Sequence, residues 1–320
     1  MNHAAKSLRS VALLGYGSCA LAGTLWGTGF FWGRLALNEM SVESMVLYRF
    51  LFACIVVAPI AFTSRERFSG EEIRLLLISA FFGIPVQFLI QFHGLALTTV
   101  SHAALMVGSM PVLLGLAATL FADERLDTVG WLALVASTIG AALVVLGGGR
   151  HGSQHAGPSL EGDLLVVLSL CTALAWVLLS KRLMQKHSPI VVSAYTILSG
   201  TVMLAMWVMG RTLANPWLED KFSYPPVEHV SATAWTALAI GGVACTAATT
   251  VLWNWGIHHV PASRAGVFLN IEPALGSILG VKLLGEHLGP FAWVGGGLIL
   301  AAAVVLTTRA HGSQPEVILE

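Results

Sequence analysis

Glu272 and Arg49 lie well inside apolar runs long enough to cross a bilayer, and their types suit them to handle a charged ligand or a proton. Glu272-Pro273 falls within the run 261–283. A carboxylate deep in a spanning helix is expensive and faces a cavity or a partner. Pro273 removes one backbone hydrogen bond and can bend its helix. The acid could bind a cationic group, carry a proton, or pair with Arg264, two helical turns earlier on the same face. Arg49, in Tyr48-Arg49-Phe50, sits about a third of the way into the run 42–62. It could neutralise a substrate carboxylate, snorkel to the interface, or satisfy helix C-termini. Tyr195 stands where Tyr48 does, seven residues after Ser188 as Tyr48 is after Ser41.

Other polar and aromatic groups fall inside the runs: Trp26, Trp176, Trp253 and Asn254 in runs one, six and eight, Gln87 in run three and Asn270 in run nine. Deep tryptophans can stack on flat or cationic groups, and a buried amide must find a partner. With Tyr48, Arg49, Tyr195 and Glu272 they are the candidate cavity residues, and packing is the rival reading for each. No catalytic set is expected, because no nucleophile, base and third group converge on one run. No metal or cofactor is expected either. His93, His102, His258 and His259 read as interfacial, and His151 and His155 fall in a Gly-rich stretch where no helix would hold them together. No Walker motif is present. Cys19, Cys54, Cys171 and Cys245 lie in apolar runs without ligand spacing and read as small packing residues.

The elements that must position these residues follow from composition. Charged residues make up 11% and hydrophobic ones 56% of 320 residues, against about 25% charged in a soluble domain. So few charges could not cover a water-facing surface, so the chain is an all-α integral membrane protein. A net charge of zero gives no reason to invoke nucleic acid. Ten runs approach the roughly 20 residues that a spanning helix needs: 11–33, 42–62, 74–96, 99–121, 128–147, 163–183, 189–210, 233–257, 261–283 and 289–308. Lys and Arg set the expected orientation. With the N-terminus inside, Lys6, Arg9, Arg65, Arg67, Arg74, Arg125, Lys181, Arg182, Lys186, Arg264 and Arg309 lie inside. Arg150, Arg211, Lys221 and Lys282 lie outside, a bias of 11 to 4 that predicts cytoplasmic termini.

The second half repeats the first. Gly94, Ser101, Ala103, Pro111, Glu124, Leu126 and Trp131 recur as Gly256, Ser263, Ala265, Pro273, Glu286, Leu288 and Trp293, all 162 residues later. Five spans per half make the second half start on the opposite side, so the fold class is ten transmembrane helices as two inverted five-helix repeats. The expected organisation is a cytoplasmic N-terminus and start of the first helix at 1–18, repeat one at 19–147, a linker at 148–163, repeat two at 164–308, and a cytoplasmic tail at 309–320. Pro111 and Pro273 hold equivalent helix positions, with Met110 where Glu272 stands. Glu124 and Glu286 end equivalent helices and read as architectural, by capping or by pairing across the repeats. Lys282, four residues before Glu286, is a pairing partner for it. Gly23-xxx-Gly27 and Gly29-xxx-Gly33 permit close helix approach.

At these motifs each half resembles an EamA domain of the drug/metabolite transporter superfamily. The resemblance rests on Trp26 with Gly33-Arg34-Leu35 and Trp176 with Lys181-Arg182-Leu183. It rests also on Ser101…Pro111…Asp123-Glu124-Arg125-Leu126 and Ser263…Glu272-Pro273…Gly285-Glu286-His287-Leu288, each followed by a Gly/Ala-rich last helix. It covers about 19–147 and 164–308. It implies a central cavity enclosed mainly by spans one to four and six to nine, with spans five and ten at the periphery. It also implies a secondary transporter of the inner membrane that exports a small organic metabolite, amino acids and related amphiphiles leading. The expected partners are that substrate, the lipid bilayer and, as a coupling ion, protons; no oligomeric state follows. Import or exchange, a membrane-embedded enzyme, and a subunit that does not transport remain the alternatives.

Overall fold

The computed structural model describes residues 2–110, 112–113, 128–146, 158–214, 230–259 and 266–309. Among these residues the regular structure is helical, with no strand. The first repeat contributes α1 (Asn2–Leu37), α2 (Val42–Thr63), α3 (Gly70–Leu97), α4 (Val100–Val107) and α5 (Thr128–Leu146). The second contributes α6 (Leu160–Met184), α7 (Pro189–Ala214) and α8, made of Ala232–Gly242, Val243–Ala248 and Thr249–His259. A 3₁₀ turn, Gly266–Asn270, then enters α9 (Ile271–Leu283), and α10 is Pro290–Arg309. Five helical stretches, in α2, α3, α6, α7 and α8, are long and apolar enough to cross a membrane. Pro111, Glu124 and Arg264 lie outside the described residues, as do most of the Gly-rich linker and of the α7–α8 loop.

Hydroxyl caps set the helix starts. Ser41, Ser69, Ser159 and Ser231, and Thr99 ahead of α4, each accept a backbone N–H from three residues on, satisfying one of the orphan donors of a first turn. At Ser69 the Glu72 carboxylate also accepts the cap's own N–H, completing a capping box. This explains why α3 begins at Gly70, four residues before its hydropathic run. The Ser159 cap likewise starts α6 at Leu160, inside the stretch that hydropathy assigns to the linker.

The helices cross alternately, and polar contacts at their ends show it. One face gathers the α1–α2, α3–α4, α7–α8 and α9–α10 connections. There the Arg34 guanidinium closes the C-terminus of α3 by donating to the carbonyls of Leu95 and Thr98. Arg211 pairs with Glu43 at 2.7 Å. The Glu39 carboxylate accepts the hydroxyl of Ser231 at 2.6 Å and its N–H at 2.7 Å, bonds that hold its carboxyl below the usual carboxylate range. The opposite face carries the α2–α3 and α6–α7 corners. Glu66 accepts His187 Nδ1 and the Ser188 N–H, and Lys186 pairs with Glu72 at 3.2 Å.

Two constant offsets relate the halves. α3 maps onto α8 at 162 residues: Ser69 and Ser231 cap equivalent helices, and the π turns Phe82–Val86 and Val243–Ala248 interrupt them at matching positions. α1 maps onto α6 at 147 residues. Gly94 of α3 packs on Gly162 and Val166, and its counterpart Gly256 of α8 packs on Gly15 and Cys19. Thus α1 against α8 is mirrored by α6 against α3, and α2 against α8 by α7 against α3. The pairs α2–α7, α4–α9 and α5–α10 bring equivalent helices together, as an in-plane pseudo-two-fold requires. α5 and α10 pack chiefly on each other, Gly140 and Gly295 lying against one another's carbonyls, and they flank the eight helices that enclose the centre. The chain is a multi-pass membrane protein of inverted five-helix repeats.

Candidate functional site

α1 runs through the centre, and its glycines face two partners. Gly23 and Gly27 admit the backbone of α9: a Cβ on Gly27 would stand 3.1 Å from the Glu272 carbonyl oxygen. Gly29 and Gly33 face the other way, a Cβ on Gly29 standing 3.5 Å from Arg49 Nη2 and one on Gly33 meeting the ring of Phe92. The two small-xxx-small pairs therefore serve α9 on one side and the α2–α3 side on the other.

Arg49 is 5% exposed and lies seven residues into α2, about 10 Å along the axis at 1.5 Å per residue. Its Nε donates to Thr246 Oγ1 at 3.0 Å, and Nη1 to the Gly29 carbonyl at 3.5 Å. The guanidinium carbon is 5.3 Å from the ring centroid of Phe92 and 5.7 Å from that of Phe88, a cation–π setting on two rings one helical turn apart. Thr246 sits in the π turn of α8, where its hydroxyl donates to the Gly241 carbonyl five residues back at 2.9 Å. The widened turn brings Thr246 and Cys245 to α1, and Cys245 Sγ is 3.2 Å from Thr28 Oγ1.

The counterpart of this pocket carries no charge. At the 147-residue offset Gly29 becomes Trp176 and Arg49 becomes Thr196; at the 162-residue offset Cys245 becomes Gly83. Trp176 packs on Gly83, where a Cβ would be 2.5 Å from its ring. A tryptophan over a glycine fills on one side what an arginine over a glycine fills on the other. This corrects the sequence-based pairing of Trp26 with Trp176, which structurally are not equivalents.

Glu272 lies in the first turn of α9, just after the 3₁₀ turn and beside buried Pro273. It is 11 residues from the end of the helix at Leu283, about 16 Å by the same rise, and so near mid-membrane. The residue is half-buried, with its backbone packed on Gly27. Among the described residues it has no hydrogen-bond partner. Arg49 is within electrostatic reach of it, yet no ion pair within 4 Å joins them. Trp26 of α1 and Trp253 of α8 form a half-buried pair with centroids 5.6 Å apart.

The remaining candidates divide. Gln87 is buried immediately after the π turn of α3, its Oε1 unsatisfied. Asn270 closes the 3₁₀ turn ahead of Glu272. Asn254 is buried and donates to Ser193 Oγ at 3.0 Å, tying α8 to α7. Tyr195 donates to the Ala61 carbonyl at 3.1 Å, and Tyr48 packs edge-on against Trp235 at 4.9 Å; both serve helix contacts. Glu286 accepts the N–H groups of Val100 and Ser101 at 2.7 Å each and the Ser101 hydroxyl at 2.6 Å. It caps α4 from the other repeat rather than pairing with Lys282. His102 is not interfacial but 1% exposed, 3.3 Å from Asp163, which also accepts the Thr98 hydroxyl. Thr246, Phe88, Phe92 and Gly29 were not among the sequence candidates, although the Phe88/Phe92 spacing of four was visible. Among the described residues no group of three His, Cys, Asp or Glu could hold a metal.

Comparison with known proteins gives this geometry its family. The model of the EamA-like transporter family matches residues 13–146 and again 160–308. The chain belongs to this family. An uncharacterised transporter of Archaeoglobus fulgidus is 22% identical over 91% of this chain and 96% of its own length. The uncharacterised transporter YetK of Bacillus subtilis is 23% identical over 87% and 81%. A probable terminal-alkyne amino-acid exporter of Streptantibioticus cattleyicolor is 22% identical over 91% and 92%. One crystal structure, 18% identical, superposes with a TM-score of 0.61 over 94% of this chain and 99% of its own, which shows the fold. Family and relatives alike make this EamA protein a transporter.

Proposed function

We propose that this EamA transporter exports a small organic metabolite, with amino acids and related amphiphiles the leading class, across the cytoplasmic membrane by alternating access. The observation that carries the reading is Glu272: a carboxylate without a hydrogen-bond partner among the described residues, half-buried near mid-membrane, at the seam between the repeats. An ionisable group placed there is a functional feature by default. Residues 19–147 and 164–308 would rock against each other about this centre. The glycine-mediated contacts of α1 with α9 suit such movement, and the polar contacts between repeats at the two faces are the ones that would open in turn. Export is favoured by the similarity to the Streptantibioticus protein, a probable terminal-alkyne amino-acid exporter. Among the described residues no nucleophile, base and orienting group converge in the interior, which favours transport over an embedded enzyme.

The distribution of basic residues favours cytoplasmic termini and an outward α3–α4 face. Single cysteines at Ser153 and Ser313, in a background without the native cysteines, are expected to label from outside only at Ser153. Equal labelling at both positions would overturn this orientation.

Glu272→Gln is expected to stay in the membrane and to slow flux in proteoliposomes loaded with a metabolite mixture, read by mass spectrometry. If the carboxylate binds a substrate amine, apparent affinity weakens at every pH. If it carries a proton, the pH dependence of flux flattens instead. Wild-type flux with unchanged pH dependence would show that this acid only holds the bundle, and absence of any flux by the wild-type protein would remove the transporter mechanism itself.

A further inference from the structure

The pseudo-symmetry identifies the charges that the architecture does not require. Thr196 stands where Arg49 would be repeated, and Met110 where Glu272 would be. The neutral pocket of Trp176, Gly83 and Thr196 packs without a charge, so the fold can be built at that position with none. Arg49 and Glu272 are two such departures, one in each repeat and opposite in sign. Both reach α1 within two residues of each other, Arg49 Nη2 at Gly29 and the Glu272 backbone at Gly27, and they lie within electrostatic reach across the repeat boundary.

The two charges do not close on each other. Among the described residues no carboxylate lies within 4 Å of the Arg49 guanidinium. Arg49 uses Nε and Nη1 on Thr246 and Gly29, and Nη2 donates to no described residue. A pair serving only to hold helices together would form a hydrogen-bonded bridge, since separated charges in a low-dielectric interior keep most of their desolvation cost. A positive and a negative group held apart, each with unused hydrogen-bonding capacity, fit a ligand that brings the complementary charges.

We propose that Arg49 and Glu272 are the two poles of one binding site for a zwitterionic metabolite, Arg49 receiving its carboxylate through Nη2 and Glu272 its ammonium group. The ligand's apolar part would lie toward Trp26 and Trp253, since Trp26 adjoins Gly27, on which the Glu272 backbone rests. This deepens the reading of the chain as a metabolite transporter and rests on it. Charge-assisted bonds at both poles would select against molecules with only one charge, because each leaves one charged group of the protein unanswered in the interior.

Three probes with one side chain test the assignment: L-leucine, its methyl ester, which is cationic, and N-acetyl-L-leucine, which is anionic. Binding is read as thermal stabilisation of the purified full chain in detergent, and flux as counterflow in proteoliposomes. Wild-type protein is expected to bind leucine at least about tenfold more tightly than either analogue, the scale of one charge-assisted bond. Glu272→Gln should shift the preference toward N-acetyl-leucine, and Arg49→Gln toward the methyl ester. General damage would lower all three together and could not produce this reciprocal shift. Should Arg49→Gln not accumulate, Arg49→Lys keeps the charge without the planar fork. It should weaken leucine while leaving it preferred over the ester. Equal binding of the three probes, no response to any, or parallel loss in both variants overturns the proposal. Flux of a singly charged or neutral metabolite, without response to leucine, would overturn the site and leave the transporter reading standing. Leucine binding with the reciprocal shift but no counterflow would do the reverse.

Discussion

Transplanting the neutral pocket onto the charged one, by Gly29→Trp, Arg49→Thr and Cys245→Gly together, is expected to yield a protein that folds, enters the membrane and no longer transports. The three residues are those that the second pocket carries as Trp176, Thr196 and Gly83. There the indole sits so close to Gly83 that no Cβ could be added, so Cys245 must shrink when Gly29 grows. Gly29→Trp alone should behave differently. Its ring would enter the space of Arg49 Nη2 and the Cys245 side chain, 3.5 and 3.7 Å from the first added atom. Overpacking of that kind costs about 1–3 kcal/mol, and disturbing the bonds of a buried charge adds to it. Thermal unfolding of the purified single and triple variants, beside counterflow, checks both statements. A triple variant that transports like the wild type would show that the central charge is dispensable. One that is no more stable than Gly29→Trp would show that the two pockets are not structural equivalents.

Glu286→Ala should be the most destabilising single change at the α3–α4 face. Val100 and Ser101 open α4, and their N–H groups have no partner within that helix. Glu286 accepts both, together with the Ser101 hydroxyl, and its charge meets the positive end of the α4 dipole. Gly285 aims it there: this glycine, at φ 66°, turns the chain out of α9 in a left-handed conformation that other residues rarely adopt. Leaving two buried N–H groups unanswered costs roughly 1–3 kcal/mol each. The melting temperature is therefore expected to fall by about 10 °C, on the usual scale of 2–4 °C per kcal/mol for a chain of this order of size. Glu286→Gln keeps an acceptor oxygen and should lose less. Lys282→Ala should change stability by no more than about 0.5 kcal/mol. A loss at Lys282 equal to that at Glu286 would restore the i, i+4 pair as the role of this acid.

Both experiments turn on the relation between the repeats, which the amino-acid order carries only in part. The 162-residue register of Gly94, Ser101, Pro111 and their partners identifies the duplication, because close helix contacts and helix ends recur wherever the same helix is built twice. Hydropathy locates the spans, because a bilayer admits only segments that satisfy their own backbone. Hydroxyl caps such as Ser69 and Ser231 move the ends by a few residues, since a cap acts through hydrogen bonds that hydropathy does not register. The deep Glu272 stands out in the sequence because an acid in an apolar run has few neutral explanations.

The sequence by itself determined the membrane class, the inverted duplication and the presence of two intramembrane charges, all of which depend on residue type and on spacing along the chain. Only the tertiary structure decided which helix each charge meets. The second offset, 147 residues for α1 and α6, is masked in the sequence because its partners are unlike: Gly29 with Trp176, Arg49 with Thr196. Packing conserves the filled volume of a pocket rather than the identity of its residues, so the equivalence appears only once Trp176 is seen over Gly83 and Arg49 beside Gly29. For the same reason Trp26 and Trp176, alike in type, proved not to be counterparts. Glu286 and His102 found their partners across the repeat boundary, where separation along the chain carries no information and proximity in space carries all of it.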